Sequence, residues 1–147
     1  MQASSHADSP SGDFPFWTEE KLRIQDTDLN GHVNNASIAA LFEAGRGEII
    51  TQVAGHWRTR PLAAALRRVT IDYLAEAHYP GLVRVGSAIA RVGNSSLTIR
   101  QALFLGELRF AEAESVIVFM DRETRRPAPV LPEWREAALR FAPAEIA

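Results

Sequence analysis

The chain contains no cysteine. That excludes a disulfide framework, a zinc–thiolate centre and a thiol nucleophile. The absence fits a reducing compartment, and a cytoplasmic location is expected. No apolar run approaches the roughly 20 residues needed to span a bilayer, so no membrane partner is expected. Charge of one sign is also scarce. Sixteen Lys and Arg stand against eighteen Asp and Glu, for a net charge of −2. Such a balance leaves no basic footprint for nucleic acid. The N-terminal "MQASSHADSPSGD" lacks the basic-then-apolar order of a signal peptide. Its Ser, Asp, Gly and Pro content reads as a disordered leader over residues 1–14. What remains is sufficient for a single domain, expected over residues 15–142, because 46% of the 147 residues are hydrophobic.

Periodicity organises that domain. The second half of "FWTEEKLRI" reads as a short strand. From Ala36 to Val53, Ile38, Leu41, Phe42, Ile49 and Val53 recur at spacings of three, four and seven, which is one face of a helix. Gly45 lies on that face and Gly47 beside it. Each costs a helix interior about 1 kcal/mol, and a sheet wrapped closely against the helix would explain both. The period then changes to two through Val69, Ile71 and Tyr73, through Val83, Val85 and Ile89, and through Leu97, Ile99, Leu103 and Leu105. "ESVIVFM" is a more continuous apolar strand. "HYPG" (78–81), "GNSS" (93–96) and Gly106-Glu107 are breaks with turn chemistry. "PEWREAALRF" reads as a short amphipathic helix opened by Pro132. Trp57 and Trp134 read as packing residues. The order is strand, long helix, four strands, short helix, which makes an α+β fold. Its sheet is expected to be antiparallel, with the long helix covering the apolar face.

The densest chemistry lies between the first strand and the helix, in "DTDLNGHVNN" (26–35). Helix capping by Asn34 or Asn35 needs only one of these polar groups. Asp26-x-Asp28-x-Asn30-Gly31 matches the first half of an EF-hand loop. The twelfth position is Ser37, where calcium requires a bidentate Glu, so that reading fails. A catalytic reading uses more of the cluster. The first N–H groups of the helix have no intrahelical partner and carry the positive end of its dipole. A carbonyl held on them would be polarised. The Asp28 carboxylate, just upstream, would attack that carbonyl or activate water for the attack. The constellation suits acyl transfer or hydrolysis.

Asp26-Thr27-Asp28-x-x-Gly31-His32-Val33-Asn34-Asn35, followed by Glu43-Ala44-x-Arg46, resembles the signature of the 4-hydroxybenzoyl-CoA thioesterase-like branch of the hotdog fold. "IDYLAEAHYPG", "VGNSSLTIRQALF" and "VFMDRETRRPAPVLPEW" extend the similarity over roughly residues 16 to 135. The resemblance implies a curled antiparallel sheet of about five strands around one long central helix. It implies an acyl-CoA thioesterase that releases CoA and a carboxylic acid, without a metal or other cofactor. The chain would work as a homodimer or homotetramer. Asp28 matches the family's catalytic carboxylate, and the Asn35 backbone N–H matches the group that polarises the thioester carbonyl. Glu43 matches a signature acid whose role varies between branches. Ile38 departs from the tyrosine often found at its place.

The remaining candidates each have a plainer reading. His32 is a candidate general base or a structural histidine at the helix entry. Glu43 is a candidate catalytic acid, or the partner of Arg46 at i+3. Ser95 and Ser96 are hairpin residues that in a CoA enzyme would contact pantetheine. Arg91 and Arg84 are strand-face arginines that would pair with CoA phosphates. His78 and Tyr79 read as turn and pocket-wall residues. Two other activities share the pattern: a non-catalytic acyl-CoA-binding hotdog module, and a hotdog enoyl-CoA hydratase using an Asp and a His.

Overall fold

A computed structural model describes residues 13–143. Strand β1 (Phe16–Lys21) leads through a 3-10 turn over Ile24–Asp26 to helix α1 (Asn35–Ala54). Strands β2 (Leu62–Tyr73), β3 (Leu82–Val92), β4 (Ser96–Leu105) and β5 (Leu108–Asp121) follow. Helix α2 (Pro132–Leu139) comes last. The element order is the one the periodicity implies. The fold is α+β, with a five-stranded antiparallel sheet curled around α1.

Strand order is β1-β3-β4-β5-β2. Only β3–β4 and β4–β5 are therefore hairpins. Strands β2 and β3 follow one another in sequence but lie apart in the sheet, so residues 74–81 carry the chain from one to the other. Register shifts between Leu66 and Arg68, Ile89 and Arg91, and Leu103 and Phe104 interrupt three of the four ladders. Bulges of this kind increase local twist, and three of them bend the sheet around the helix.

Two strand boundaries differ from the sequence reading. The first strand occupies the first six of the nine residues of "FWTEEKLRI", because Phe16–Lys21 pair with Ser87–Leu82. Beyond it Ile24 is 72% exposed and already in the 3-10 turn. Strand β2 starts at Leu62, earlier than the alternation at Val69, since Ala63, Ala64 and Ala65 give no polar–apolar contrast. Trp134 packs on Phe119 with ring centroids 4.9 Å apart. Trp57 is not a packing residue. It is 58% exposed, stacked on His56, with the Arg58 guanidinium 5.0 Å over its ring. Of the expected leader over residues 1–14, residues 1–12 lie outside the described residues. Phe14 is buried against Ala88, Ala102 and Phe104.

The core has two halves strung along α1. Ile38, Leu41 and Phe42 pack with Val83, Val85, Leu103 and Phe110 near the helix N-terminus. Ile49 and Val53 pack with Leu97, Ile99, Phe119 and Trp134 near its C-terminus. Burial of each such side chain contributes about 1.5–3 kcal/mol. At the junction the helix comes close to the sheet. A Cβ on Gly45 would lie 2.5 Å from Val85 Cγ1 and 3.0 Å from Gln101 Nε2. Gln101 Nε2 also donates to the Phe42 carbonyl at 3.1 Å and to Ser87 Oγ at 3.0 Å. Close approach thus accounts for Gly45 but not for Gly47, where an added Cβ meets nothing within 4 Å.

Gly45→Ala is expected to destabilise the fold by about 1–3 kcal/mol, the usual cost of overpacking. Val85, whose Cγ1 an added Cβ would meet, is fully buried. Thermal unfolding followed by circular dichroism measures this, and an unchanged or raised midpoint would refute the close-approach explanation.

Candidate active site

The polar loop divides its work among its residues. Asn34 caps α1: its side chain accepts from the Ser37 N–H at 2.8 Å. Asp26 is buried and ties the loop to the first helical turn. Its carboxylate accepts from Ser37 Oγ at 3.0 Å and from the Arg23 backbone N–H at 2.8 Å, and it pairs with the Arg23 guanidinium at 3.0 Å. The Asp26 carbonyl also accepts from the Asn34 N–H at 2.8 Å. The hydrogen bonds of Arg23 hold the Asp26 carboxyl below its usual range, against the opposing effect of burial, with Ser37 adding to the lowering.

Between these anchors, residues 27–33 fold back on themselves, with Thr27 bridged to Val33. The turn needs a residue at φ +78°, and Gly31 supplies it. Asp28 stands at the exposed side of this turn. Its Oδ1 accepts from the Asn30 N–H at 2.8 Å and the His32 N–H at 3.1 Å. Among the described residues nothing donates to Oδ2. One carboxylate oxygen is therefore held while the other is available.

Asp28, His32 and Asn35 line one depression of about 280 Å³, together with Ile38, Tyr73 and Glu76. Among the described residues no group accepts from the Asn35 or Ala36 N–H. Asp28 and the first residue of α1, Asn35, thus line the same cavity. This arrangement can bind a carbonyl on the helix terminus and deliver a nucleophile to it.

The other sequence candidates lie elsewhere. Glu43 is two turns along α1 and lines a second depression with Arg46 and Arg60. Among the described residues Glu43 and Arg46 form no ion pair. Burial lowers the Arg46 pKa, and the Glu43 charge opposes that. Ser95 and Ser96 lie at the β3–β4 turn, and Arg91 near the end of β3. The segment that leads into the polar loop passes the start of β3, where the Leu22 N–H donates to the Gly81 carbonyl, and none of Ser95, Ser96 and Arg91 lines the Asp28 depression. Arg91 is nine residues beyond Leu82, roughly 30 Å of strand. Within one chain these three residues are not brought to Asp28.

Sequence reasoning missed Glu76, and it read His78 only as turn or wall. The structure sets both against His32, with Glu76 Oε2 3.3 Å from His32 Nε2. These contacts cross more than forty positions of chain. The only local signal was the spacing of two between Glu76 and His78, which would place both on one side of an extended segment.

Residues 22–138 match the profile of the Thioesterase-like superfamily. The chain belongs to this superfamily. Escherichia coli YbgC, an acyl-CoA thioester hydrolase, is 28% identical over 113 residues, covering 73% of this chain and 83% of YbgC. A predicted thioesterase from Bacillus stearothermophilus is 30% identical, with a TM-score of 0.80 over 86% of this chain and 96% of that one. A Thermus thermophilus thioesterase, solved in complex with coenzyme A and zinc, is 27% identical, with a TM-score of 0.77 over 86% and 92% of the two chains. The match starts at Leu22 and includes the whole polar loop, α1 and strands β2 to β5, with β1 just outside it.

Because the folded Asp26 carboxyl titrates below its ordinary value, it stabilises the thioesterase fold above pH 4, and the contribution is lost as pH falls from there through the lower folded value. Asp26→Asn is expected to cost about 1–3 kcal/mol at pH 7. The low end applies, since the Arg23 side chain is 63% exposed and the pair is screened. Urea unfolding of both proteins across pH 2–7 tests this. The difference should shrink steadily below pH 4, and a constant difference would contradict the assignment.

Proposed function

We propose that this chain hydrolyses an acyl-CoA thioester, with Asp28 delivering the nucleophile and the N-terminus of α1 polarising the carbonyl. The observation that carries the reading is that Asp28, with one carboxylate oxygen engaged and one not, and Asn35, the first residue of α1, line one depression. The thioester oxygen sits on the helix N–H groups, where developing negative charge is stabilised. Asp28 either attacks the carbonyl carbon, forming a mixed anhydride that water opens, or takes a proton from the attacking water. In both routes the C–S bond breaks, the CoA thiolate leaves and a carboxylic acid is formed. The activity of YbgC supports the thioester substrate. His32 backs the loop by donating its N–H to Asp28 Oδ1. Glu43 faces a different depression and has no part in this scheme.

The working unit in this reading is a homodimer or a dimer of dimers joined along β2. That strand is twelve residues long and lies at the sheet edge. Its outer side carries unpaired backbone groups and the exposed Leu66, Val69 and Tyr73. A long apolar edge of this kind invites pairing with another strand. Tyr73 also lines the Asp28 depression, so a second copy along β2 borders the site. The proposed CoA contacts of Ser95, Ser96 and Arg91 then fall to the second copy, since within one chain they are a strand length away.

The test is thiol release from a panel of acyl-CoAs, assayed on protein sized by sedimentation. Catalytic appearance of free thiol from an oligomeric species is expected. Loss of enoyl absorbance without thiol would replace the reading by a hydratase, and binding without turnover by a carrier module. Full activity in a 16.2 kDa species would remove the dimer.

A further inference from the structure

One side-chain cluster, two members of which line the depression, is unused by the proposed hydrolysis. We propose that His32, Glu76 and His78 form a binding site for one divalent transition-metal ion of the zinc class.

His32 and His78 oppose each other across an isolated antiparallel bridge. Residues directly opposed in this way place their Cβ atoms about 4.5–5.5 Å apart on one face. Their rings meet edge to face with centroids 4.5 Å apart. Glu76 precedes His78 by two positions, so in extended chain it projects to the same side. Its Oε2 lies 3.3 Å from His32 Nε2. One ligand atom from each of the three residues lies within 4.8 Å of the other two.

Tetrahedral zinc with bonds of about 2.0–2.1 Å holds its ligand atoms roughly 3.3 Å apart. The His32–Glu76 pair already has that separation. The remaining gaps close by at most about 1.5 Å, within reach of side-chain rotation on the exposed Glu76 and His78. The backbone beneath them is fixed. The Val33 N–H donates to the Ala77 carbonyl at 2.8 Å, and the His32 N–H is held by Asp28. The cost of assembling the ligands is therefore confined to side chains.

The donor set selects the metal. Two imidazoles and one carboxylate suit zinc and its neighbours, whereas calcium and magnesium require oxygen ligands. Three protein ligands leave a fourth position for water. The site departs from the expectation, drawn from family resemblance, that no metal is involved. It stands on these three residues whether or not Asp28 is the catalyst.

The experiment is a zinc titration of the full, untagged chain at pH 7.5 in competition with a chromogenic chelator. Uptake of one zinc per chain is expected. His78→Ala and Glu76→Gln should each weaken binding by at least about 10-fold, as loss of a ligand or its close support does. Both residues are exposed, so the core is untouched, and circular dichroism checks the fold. His56→Ala, in the loop after α1, should leave affinity unchanged. Cobalt should give a visible absorption band that His78→Ala abolishes. Absence of stoichiometric uptake, or uptake indifferent to both substitutions, would overturn the proposal. So would equal loss in His56→Ala. None of these readouts depends on turnover.

Discussion

Everything in this molecule hangs on how closely α1 is seated in the curled sheet. Gly45 has no side chain because Val85 and Gln101 occupy the space where one would be. The same Gln101 reaches across to the Phe42 carbonyl, fixing the helix along its axis as well as in depth. A helix held this way has a fixed N-terminus. That end is then tied to the preceding loop, through Asp26 on Ser37 and through the Asn34 N–H on the Asp26 carbonyl. The loop is in turn tied to the strand connection by the Val33 N–H on the Ala77 carbonyl. The site inherits its rigidity from the core, as a preorganised electrostatic site requires.

The crowding of polar groups in residues 26–35 follows from that construction. A helix terminus has N–H donors without intrahelical partners. Asn34 takes the Ser37 N–H, and Asp26 holds the hydroxyl of the same residue. The Asn35 and Ala36 N–H groups are left over, and the dipole gives them a positive potential. Asp28 is the acid that packs against neither the helix nor an arginine. Its Oδ1 is spent on the turn that Gly31 allows, and Oδ2 is not. Two carboxylates two residues apart thus do different work because one is buried in hydrogen bonds and the other is half engaged.

Much of this was legible in the chain. The helix was readable because Ile38, Leu41, Phe42, Ile49 and Val53 keep a single face, and the observed Asn35–Ala54 exceeds the sequence range by one residue at each end. Strands β3 to β5 were readable from alternation and turn residues. The start of β2 was not, since three successive alanines carry no contrast between faces. Sheet order was not legible either. Adjacent strands in sequence usually pair, but β1 and β4 flank β3 and leave β2 at the far edge. Asp28, Asn34 and Asn35 were legible as one cluster because they are local to one helix start. Glu76 and His78 were not assigned, because their meeting with His32 depends on a connection that only the folded sheet creates. The exposure of Trp57 was also hidden, since a tryptophan beside arginines reads equally well as core or as a stacked surface group.

The central claim is that Asp28 delivers the nucleophile to a carbonyl held on α1. Its most direct test is kcat of Asp28→Asn on the best acyl-CoA substrate. The asparagine keeps an oxygen acceptor for the Asn30 and His32 N–H groups, so the turn is expected to survive and circular dichroism to be unchanged. The account predicts that substrate still binds while kcat falls by about 10²–10⁴-fold, the range for loss of a positioned base. A folded Asp28→Asn variant that retains more than about a tenth of the original turnover, well short of that loss, would contradict it.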